Sequence, residues 1–218
     1  MLEELKQEVW ECNLELPKNG LVVMTSGNVS GRDMQTGYVV IKPSGYSYEK
    51  MKPKDMVVLD LGGKIIEGHL SPSIDTDTHL FLYRNRLDIN GICHTHSTFA
   101  STFAVLGESI PPYVTTSALL GGEVPLGKFV PIGGNEIAQV ILDTIGDKFA
   151  ILMQNHGVFT IGHSATHATK VAVELEEIAK ITYFALLRGT PIRLSKEQLK
   201  ETSGMYTNEY GQSSIKNA

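Results

Sequence analysis

The sequence feature that most constrains the fold is a long amphipathic helix pattern over residues 164–187. Gly189 and Pro191 follow it and end the pattern. Small and apolar residues recur within it at helical spacing, so that one face carries Ala165, Ala168, Val171, Ala172, Leu175, Ile178, Ala179 and Tyr183. A helix with such a face requires a second layer of structure against which that face can be buried.

Short β-rich and apolar runs can supply that layer. Strands are predicted over residues 21–24, 38–42, 56–60, 64–66, 92–95 and 150–154, with Gly62-Gly63 as a hairpin turn. Further helices are predicted near the N-terminus up to Pro17 and Gly20, after Asp75, and over residues 98–106 and 135–145. We therefore expect one α/β domain over residues 1–218, with a central, mainly antiparallel sheet covered by helices on both sides.

The bulk composition narrows the class of partner. The 218 residues are 42% hydrophobic and 20% charged, which is enough to bury a sizeable core. A formal net charge of -5 argues against a nucleic-acid surface, which needs clustered Lys and Arg. No apolar stretch is long enough to span a membrane, and the start lacks the order of a secretory signal. We expect a cytoplasmic protein with a small-molecule partner.

A His-X-His pair, His94 and His96, stands at the end of a predicted strand. Residues two apart on a strand point to the same face, so both imidazoles can reach one ion. Two partly exposed histidines in a loop would give the same pattern.

A third histidine, His156, also follows an apolar run directly, and three imidazoles leave positions open on a zinc ion, as catalysis requires. Gly157 would keep that site uncrowded. A core histidine bonded to backbone remains the alternative for His156.

A carboxylate precedes the first histidine strand. Asp75 stands at the start of the predicted helix that leads into that strand. Beside a metal it could be a fourth ligand and then a general base, but Asp is also a common helix N-cap, and both interpretations stay open. Asp77 is expected in solvent, and His79 is expected to be packed in the core.

Two loops of small residues follow predicted strands, one over residues 25–31 and one over residues 42–45. Glycine lets backbone N–H groups converge on an anion, and Ser, Thr and Asn add donors without bulk. Either loop could therefore hold a phosphate, or could be an ordinary turn.

These pieces, in this order, resemble the class II aldolase/adducin family. The motifs are S-G-N-V-S, K-P-S-G, P-S-I-D, H-T-H-S, the N-H-G at residues 155–157 and the closing Y-G-Q at 210–212. The resemblance implies one zinc ion per subunit, held by His94, His96 and His156. It also implies a fourfold-symmetric homotetramer with active sites between subunits, and a phosphate pocket formed by Ser26, Gly27, Asn28, Ser44, Gly45 and Ser73. Ile74 departs from the pattern, since the family often has a second phosphate-binding serine there.

The family includes aldolases and epimerases of phosphorylated ketoses, and the motifs here are mixed. Asp75, H-T-H-S and Y-G-Q resemble L-ribulose-5-phosphate 4-epimerase. The epimerase carries a second catalytic acid in a T-T-H-A-D stretch, where this chain has Leu119, and leucine cannot transfer a proton. Tyr113 follows the S-I-P segment as in L-fuculose-1-phosphate aldolase. The resemblance therefore favours aldol cleavage, with the epimerase as the alternative and a non-catalytic scaffold member as a further one.

In the aldolase interpretation, three residues handle protons. Asp75 moves the proton at the carbon released by cleavage, and Tyr113, from a neighbouring subunit, exchanges one with the aldehyde oxygen. Tyr210, near the end of the chain, would close over the site and contribute to orientation or to that same proton exchange. Both tyrosines could instead be packed with the hydroxyl at the surface.

Overall fold

A computed structural model describes residues 2–132 and 134–208 of the chain. The helices are α1 (Glu3–Lys18), α2 (Thr76–Asn85), α3 (Thr98–Leu106), α4 (Glu136–Ile145), α5 (Ala165–Arg188) and α6 (Lys196–Asn208), with short 3₁₀ helices at Pro53–Asp55 and Thr115–Leu120. The strands are β1 (Asn28–Arg32), β2 (Val39–Ile41), β3 (Val57–Leu59), β4 (Ile65–Glu67), β5 (Gly91–Thr95), β6 (Leu126–Gly127), β7 (Ala150–Met153) and β8 (Gly157–Gly162).

The strands form one eight-stranded sheet in the order β4-β3-β2-β1-β5-β8-β7-β6. Among the strands of the described ranges, β6 and β7 alone pair in parallel, and every other neighbouring pair is antiparallel. The expected mainly antiparallel sheet is therefore confirmed.

Side chains of successive strand residues point to opposite faces of the sheet, and each face is covered by helices. In β5, Ile92 packs in a cluster with α2 and α4, whereas Cys93 packs in a cluster with α1 and α5. In β7, Ile151 faces the α2 and α4 side, while Leu152 packs with α3 and α5. This confirms the expected helices on both sides of the sheet.

The long helix pattern corresponds to α5, and its boundaries have identifiable causes. Ser164 is the N-cap, and its hydroxyl accepts a hydrogen bond from the backbone N–H of His167 at 3.1 Å. Gly189 is the C-cap residue. No helix in the described ranges is both long enough and apolar enough to cross a membrane.

Two local predictions were wrong. Residues 21–24 are not a strand: Leu21 is buried, but Val23 and Met24 are exposed in a turn, and Met24 has a φ of 56°. The first strand, β1, instead begins at Asn28, within the segment predicted to be a loop. Strand β8 was not predicted from the sequence, because it begins and ends with glycine, a residue that ordinarily indicates a turn.

Candidate metal and substrate site

Three histidines converge at one edge of the sheet. His94 is on β5, His96 follows that strand directly, and His156 lies in the turn between β7 and β8. Because β5 and β8 are antiparallel neighbours, with Thr95 opposite Val158, the end of one strand meets the beginning of the other. One nitrogen from each ring lies within 4.8 Å of the others. The structure thus brings together the three predicted ligands.

The ring of His94 is held in one orientation. Its Nδ1 atom donates a hydrogen bond to the carbonyl oxygen of Val158 at 2.8 Å, and the ring stacks on Phe159 with centroids 4.2 Å apart. This hydrogen bond leaves the Nε2 lone pair directed to the cluster. The Nε2 atoms of His94 and His96 are 3.1 Å apart, close to the roughly 3.3 Å expected for two nitrogens on one tetrahedral zinc ion.

Two residues beside His156 make room for the cluster. Asn155 has a φ of 56°, so the left-handed turn occurs there and not at Gly157. A Cβ on Gly157 would lie 2.5 Å from the carbonyl oxygen of Thr95 and 2.7 Å from Cδ2 of His96. Only glycine therefore fits at position 157 without displacing a ligand strand.

The histidines are in the protonation state that binds metal. Burial lowers the pKa of His94 to about 3, and partial loss of solvent also lowers the pKa of His96 and of His156. All three imidazoles are consequently neutral near pH 7, with lone pairs available for an ion.

Asp75 lies beside this cluster and is not used as a helix cap. It occupies the N-cap position of α2, but its side chain makes no capping hydrogen bond. Its Oδ2 atom instead accepts a hydrogen bond from the Asn28 amide at 2.7 Å. Burial acts to raise the pKa of Asp75, but the nearby His94 and His79 and the Asn28 hydrogen bond outweigh it, so the pKa lies below its ordinary value. The group is therefore a carboxylate near pH 7.

One cavity of about 200 Å³ joins the histidines to the two small-residue loops. Ten of the residues predicted for the site line it: His94, His96, His156, Asp75, Ser26, Gly27, Asn28, Ser44, Gly45 and Ser73. Ile74 and Ile132 also line it, and both side chains are largely exposed. The cavity therefore has a polar interior and two apolar side chains on its wall.

The loops that line the cavity are tied together by backbone hydrogen bonds. Ser44 N–H donates to the Ser71 carbonyl at 2.9 Å, and Ser73 N–H donates to the Lys42 carbonyl at 3.0 Å. Gly27 has a φ of 74°, and a Cβ there would lie 2.9 Å from the His94 carbonyl oxygen. The loop over residues 25–27 thus closely contacts β5, the strand that carries His94.

Lys42 begins one of the two loops predicted to hold a phosphate, but it was not among the residues predicted to form the phosphate pocket. It lines the cavity, is only 2% exposed, and its Nζ donates to the Thr25 carbonyl at 3.0 Å. Burial lowers its pKa to about 8. Its position at the end of a predicted strand, two residues before Ser44-Gly45, was the available signal.

Several other candidates lie elsewhere. His79 is fully buried, with Nδ1 2.7 Å from the Ser30 hydroxyl, as expected for a core histidine, and Asp77 is exposed as predicted. Tyr113 is half-buried and does not line the cavity within this chain. Tyr210 lies outside the described residues.

Comparison with known proteins identifies the family. The sequence profile of the class II aldolase and adducin N-terminal domain matches residues 7–183. The chain belongs to the class II aldolase/adducin family. An L-fuculose 1-phosphate aldolase structure superposes with a TM-score of 0.86 at 29% identity, over 93% of this chain and 96% of that one.

Two further solved structures of this fold are similar. YgbL from Escherichia coli has a TM-score of 0.82 and 26% identity, over 92% of this chain and 98% of that one. An L-fuculose-1-phosphate aldolase from Thermus thermophilus has a TM-score of 0.73 and 25% identity, over 87% of this chain and 98% of that one. For this class II aldolase family member, the histidine triad is consistent with a metal-dependent lyase.

Proposed function

We propose that the protein catalyses zinc-dependent, reversible aldol cleavage of a phosphorylated ketose, with L-fuculose 1-phosphate giving dihydroxyacetone phosphate and L-lactaldehyde. The observation that carries this proposal is the cavity that combines three imidazoles, a carboxylate and a buried lysine. Similarity to two L-fuculose-1-phosphate aldolases, at 29% and 25% identity, supports the choice of sugar.

The residues present suit a zinc ion. His94, His96 and His156 would be the ligands, since neutral nitrogen donors with at least one open position are typical of catalytic zinc. A zinc ion held there would act as a Lewis acid on the carbonyl of the substrate, which makes the adjacent carbon–carbon bond easier to break.

The phosphate end of the substrate would bind in the loop part of the cavity. Lys42 supplies a cation there, and the hydroxyls of Ser44 and Ser73 can act as donors. Ser73 also lies just before α2, so the partial positive charge at that helix N-terminus favours an anion at the same place. These features support a phosphorylated ligand over a neutral sugar.

Asp75 would manage the proton at carbon. When the C3–C4 bond breaks, the electron pair remains with C3, and C3 must then gain a proton to give dihydroxyacetone phosphate. The Asp75 carboxylate can carry that proton and can remove it in the reverse, condensing direction. The Asn28 amide holds the carboxylate in place through its hydrogen bond to Oδ2.

The C4 hydroxyl loses its proton as the aldehyde forms, and Tyr113 of a neighbouring chain would exchange that proton. Tyr113 does not line the cavity of its own chain, so this role requires an assembly, which we propose to be a homotetramer. Tyr210, close to the C-terminus, would close over the site and would either orient the substrate or take part in the same proton exchange.

Aldol cleavage is preferred to epimerisation because of Leu119. An epimerase breaks and remakes the same bond, but the aldehyde presents its opposite face when the bond forms again. The aldehyde oxygen therefore exchanges its proton on two sides of the site, which calls for a second acid. Leu119 packs against an apolar cluster that includes Leu152, Val158 and Val171. A leucine at this position cannot transfer a proton itself.

The decisive experiment is product analysis with L-fuculose 1-phosphate and L-ribulose 5-phosphate in parallel. We expect dihydroxyacetone phosphate and lactaldehyde from the first, and little D-xylulose 5-phosphate from the second. Efficient epimerisation without released aldehyde would contradict the aldolase proposal. A protein that binds zinc but turns over neither sugar would support a non-catalytic scaffold.

A further inference from the structure

The three histidines differ in how firmly the fold holds them. His94 lies within β5, paired with Asn28 on one side and Phe159 on the other, and its ring also donates to Val158. His96 lies beyond the last residue of β5 and is exposed. Within the described ranges, the only hydrogen-bond partner of its ring is His94. Its ring contacts are with the other two histidines, whose centroids lie 4.8 Å and 5.4 Å away. We therefore expect the backbone that flanks His96 to contribute to its position.

The backbone that follows His96 is the first turn of α3. Ser97 is the N-cap residue of this helix, but its side chain makes no capping hydrogen bond. The free N–H groups of the first turn consequently need another acceptor. They find it in α5: Glu176 Oε1 accepts from Phe99 N–H at 2.8 Å, and Oε2 accepts from Ala100 N–H at 2.9 Å.

This bidentate contact is well placed to fix the ligand. Glu176 comes from the middle of the 24-residue helix α5, which packs against the sheet and α3. A carboxylate on two backbone amides at a helix N-terminus gives charge-assisted hydrogen bonds, which are stronger than neutral ones. It therefore anchors the start of α3 three residues after His96. We propose that Glu176 is a positioning residue for His96 and sets the metal affinity of the site.

This inference rests on the metal site of the proposed function. The test compares Glu176→Gln, which removes the charge and one acceptor oxygen, with Glu177→Gln, a matched change at an exposed residue on the same helix. The zinc dissociation constant of each metal-stripped protein is measured by competition with a chromophoric chelator. We expect it to rise about tenfold in Glu176→Gln, as for other partners that orient metal ligands, and to stay unchanged in Glu177→Gln.

A third variant separates positioning from general stability. Ile141→Val removes a methyl group from the buried face of α4, which carries none of the three histidines, and is expected to lower the unfolding midpoint of the metal-stripped protein. We expect its zinc affinity to match the wild type. For each variant, the loss of zinc affinity is compared with the fall in unfolding midpoint. If this ratio is the same in Ile141→Val and Glu176→Gln, the inference is overturned, because the lost affinity would then reflect lower stability in general.

The remaining outcomes are also distinguishable. Unchanged zinc affinity in Glu176→Gln would overturn the inference while leaving the proposed function intact. A wild-type protein that binds no zinc would remove both. If Glu176→Gln does not fold, Glu176→Asp is measured in the same way, since it keeps the charge but is too short to reach both amides, and we expect a smaller rise in the dissociation constant.

Discussion

The Nδ1 atom of His94 donates a hydrogen bond to the carbonyl oxygen of Val158, across the pair of strands β5 and β8. The bond fixes which nitrogen of the ring is free, and it also links the metal-ligand geometry to the register of the sheet.

Loss of a histidine ligand should remove the metal. We expect His94→Ala and His156→Ala to reduce bound zinc from about one ion per chain to a small fraction, because two remaining imidazoles hold zinc weakly. His69→Ala is the control, since His69 is exposed and does not line the cavity. Metal analysis of the purified proteins gives the answer, and wild-type metal content in either ligand variant would mean that the ligands were wrongly assigned.

Removal of the Asp75 charge should affect turnover and not metal binding. We expect Asp75→Asn to keep zinc and to lower kcat by on the order of a hundredfold, the scale usual for loss of a general base. Asp77→Asn, at an exposed position two residues later, should retain full activity. Steady-state kinetics with the sugar phosphate measures both, and an Asp75→Asn enzyme with normal kcat would leave Asp75 without a catalytic role.

Lys42 should make phosphate binding depend on pH. Its pKa of about 8 means that the ammonium is charged below that pH and is lost as the pH rises through it, so phosphate affinity should fall above pH 8. Inhibition by inorganic phosphate, measured from about pH 7 to 10, should weaken in this way in the wild type.

A variant at the same position checks the cause of that pH dependence. Lys42→Met should raise KM about tenfold and abolish the alkaline loss of phosphate affinity, because the charge-assisted hydrogen bond is absent at every pH. Lys50→Met, at an exposed lysine, should behave as the wild type. The same alkaline decline in Lys42→Met would assign the titration to another group.

The role of Tyr113 in a neighbouring chain can be tested by complementation. His94→Ala and Tyr113→Phe should each be nearly inactive as separate proteins. When the two are unfolded, mixed and refolded together, we expect activity to reappear, because some sites combine intact histidines with an intact Tyr113 from the adjacent subunit. No recovery from a mixture shown by mass to contain hybrid oligomers would place both residues in one chain's site, or exclude Tyr113 from catalysis.

Much of the fold and site could be predicted from local patterns. The helical period of apolar residues located α5. The alternation of side chains along β5 explains why His94 and its two neighbours in the strand point to opposite faces of the sheet. The ends of apolar runs also located His96 and His156. These are properties of short segments, which a sequence displays directly.

The features that were missed depend on contacts between distant segments. The chain beside Lys42 pairs with a distant segment, through the bridge between Pro43 and Pro72, and the lysine itself bonds to the Thr25 carbonyl. Glu176 meets Phe99 across two helices, and nothing in the residues around either one signals the contact. Residues 21–24 have strand-like composition, but Leu21 is buried in the α1 cluster and, within the described chain, no strand pairs with this segment.

The origin of the three histidines from two separate parts of the chain has a consequence for stability. An ion shared by His96 and His156 would close a long loop of chain and would be absent from the unfolded protein. Its binding energy would then add to the free energy of unfolding, by about 2.7 kcal/mol at a free zinc concentration about one hundred times the dissociation constant. The concentration of free metal would thereby set the folded fraction of the protein under destabilising conditions, as well as the occupancy of the site.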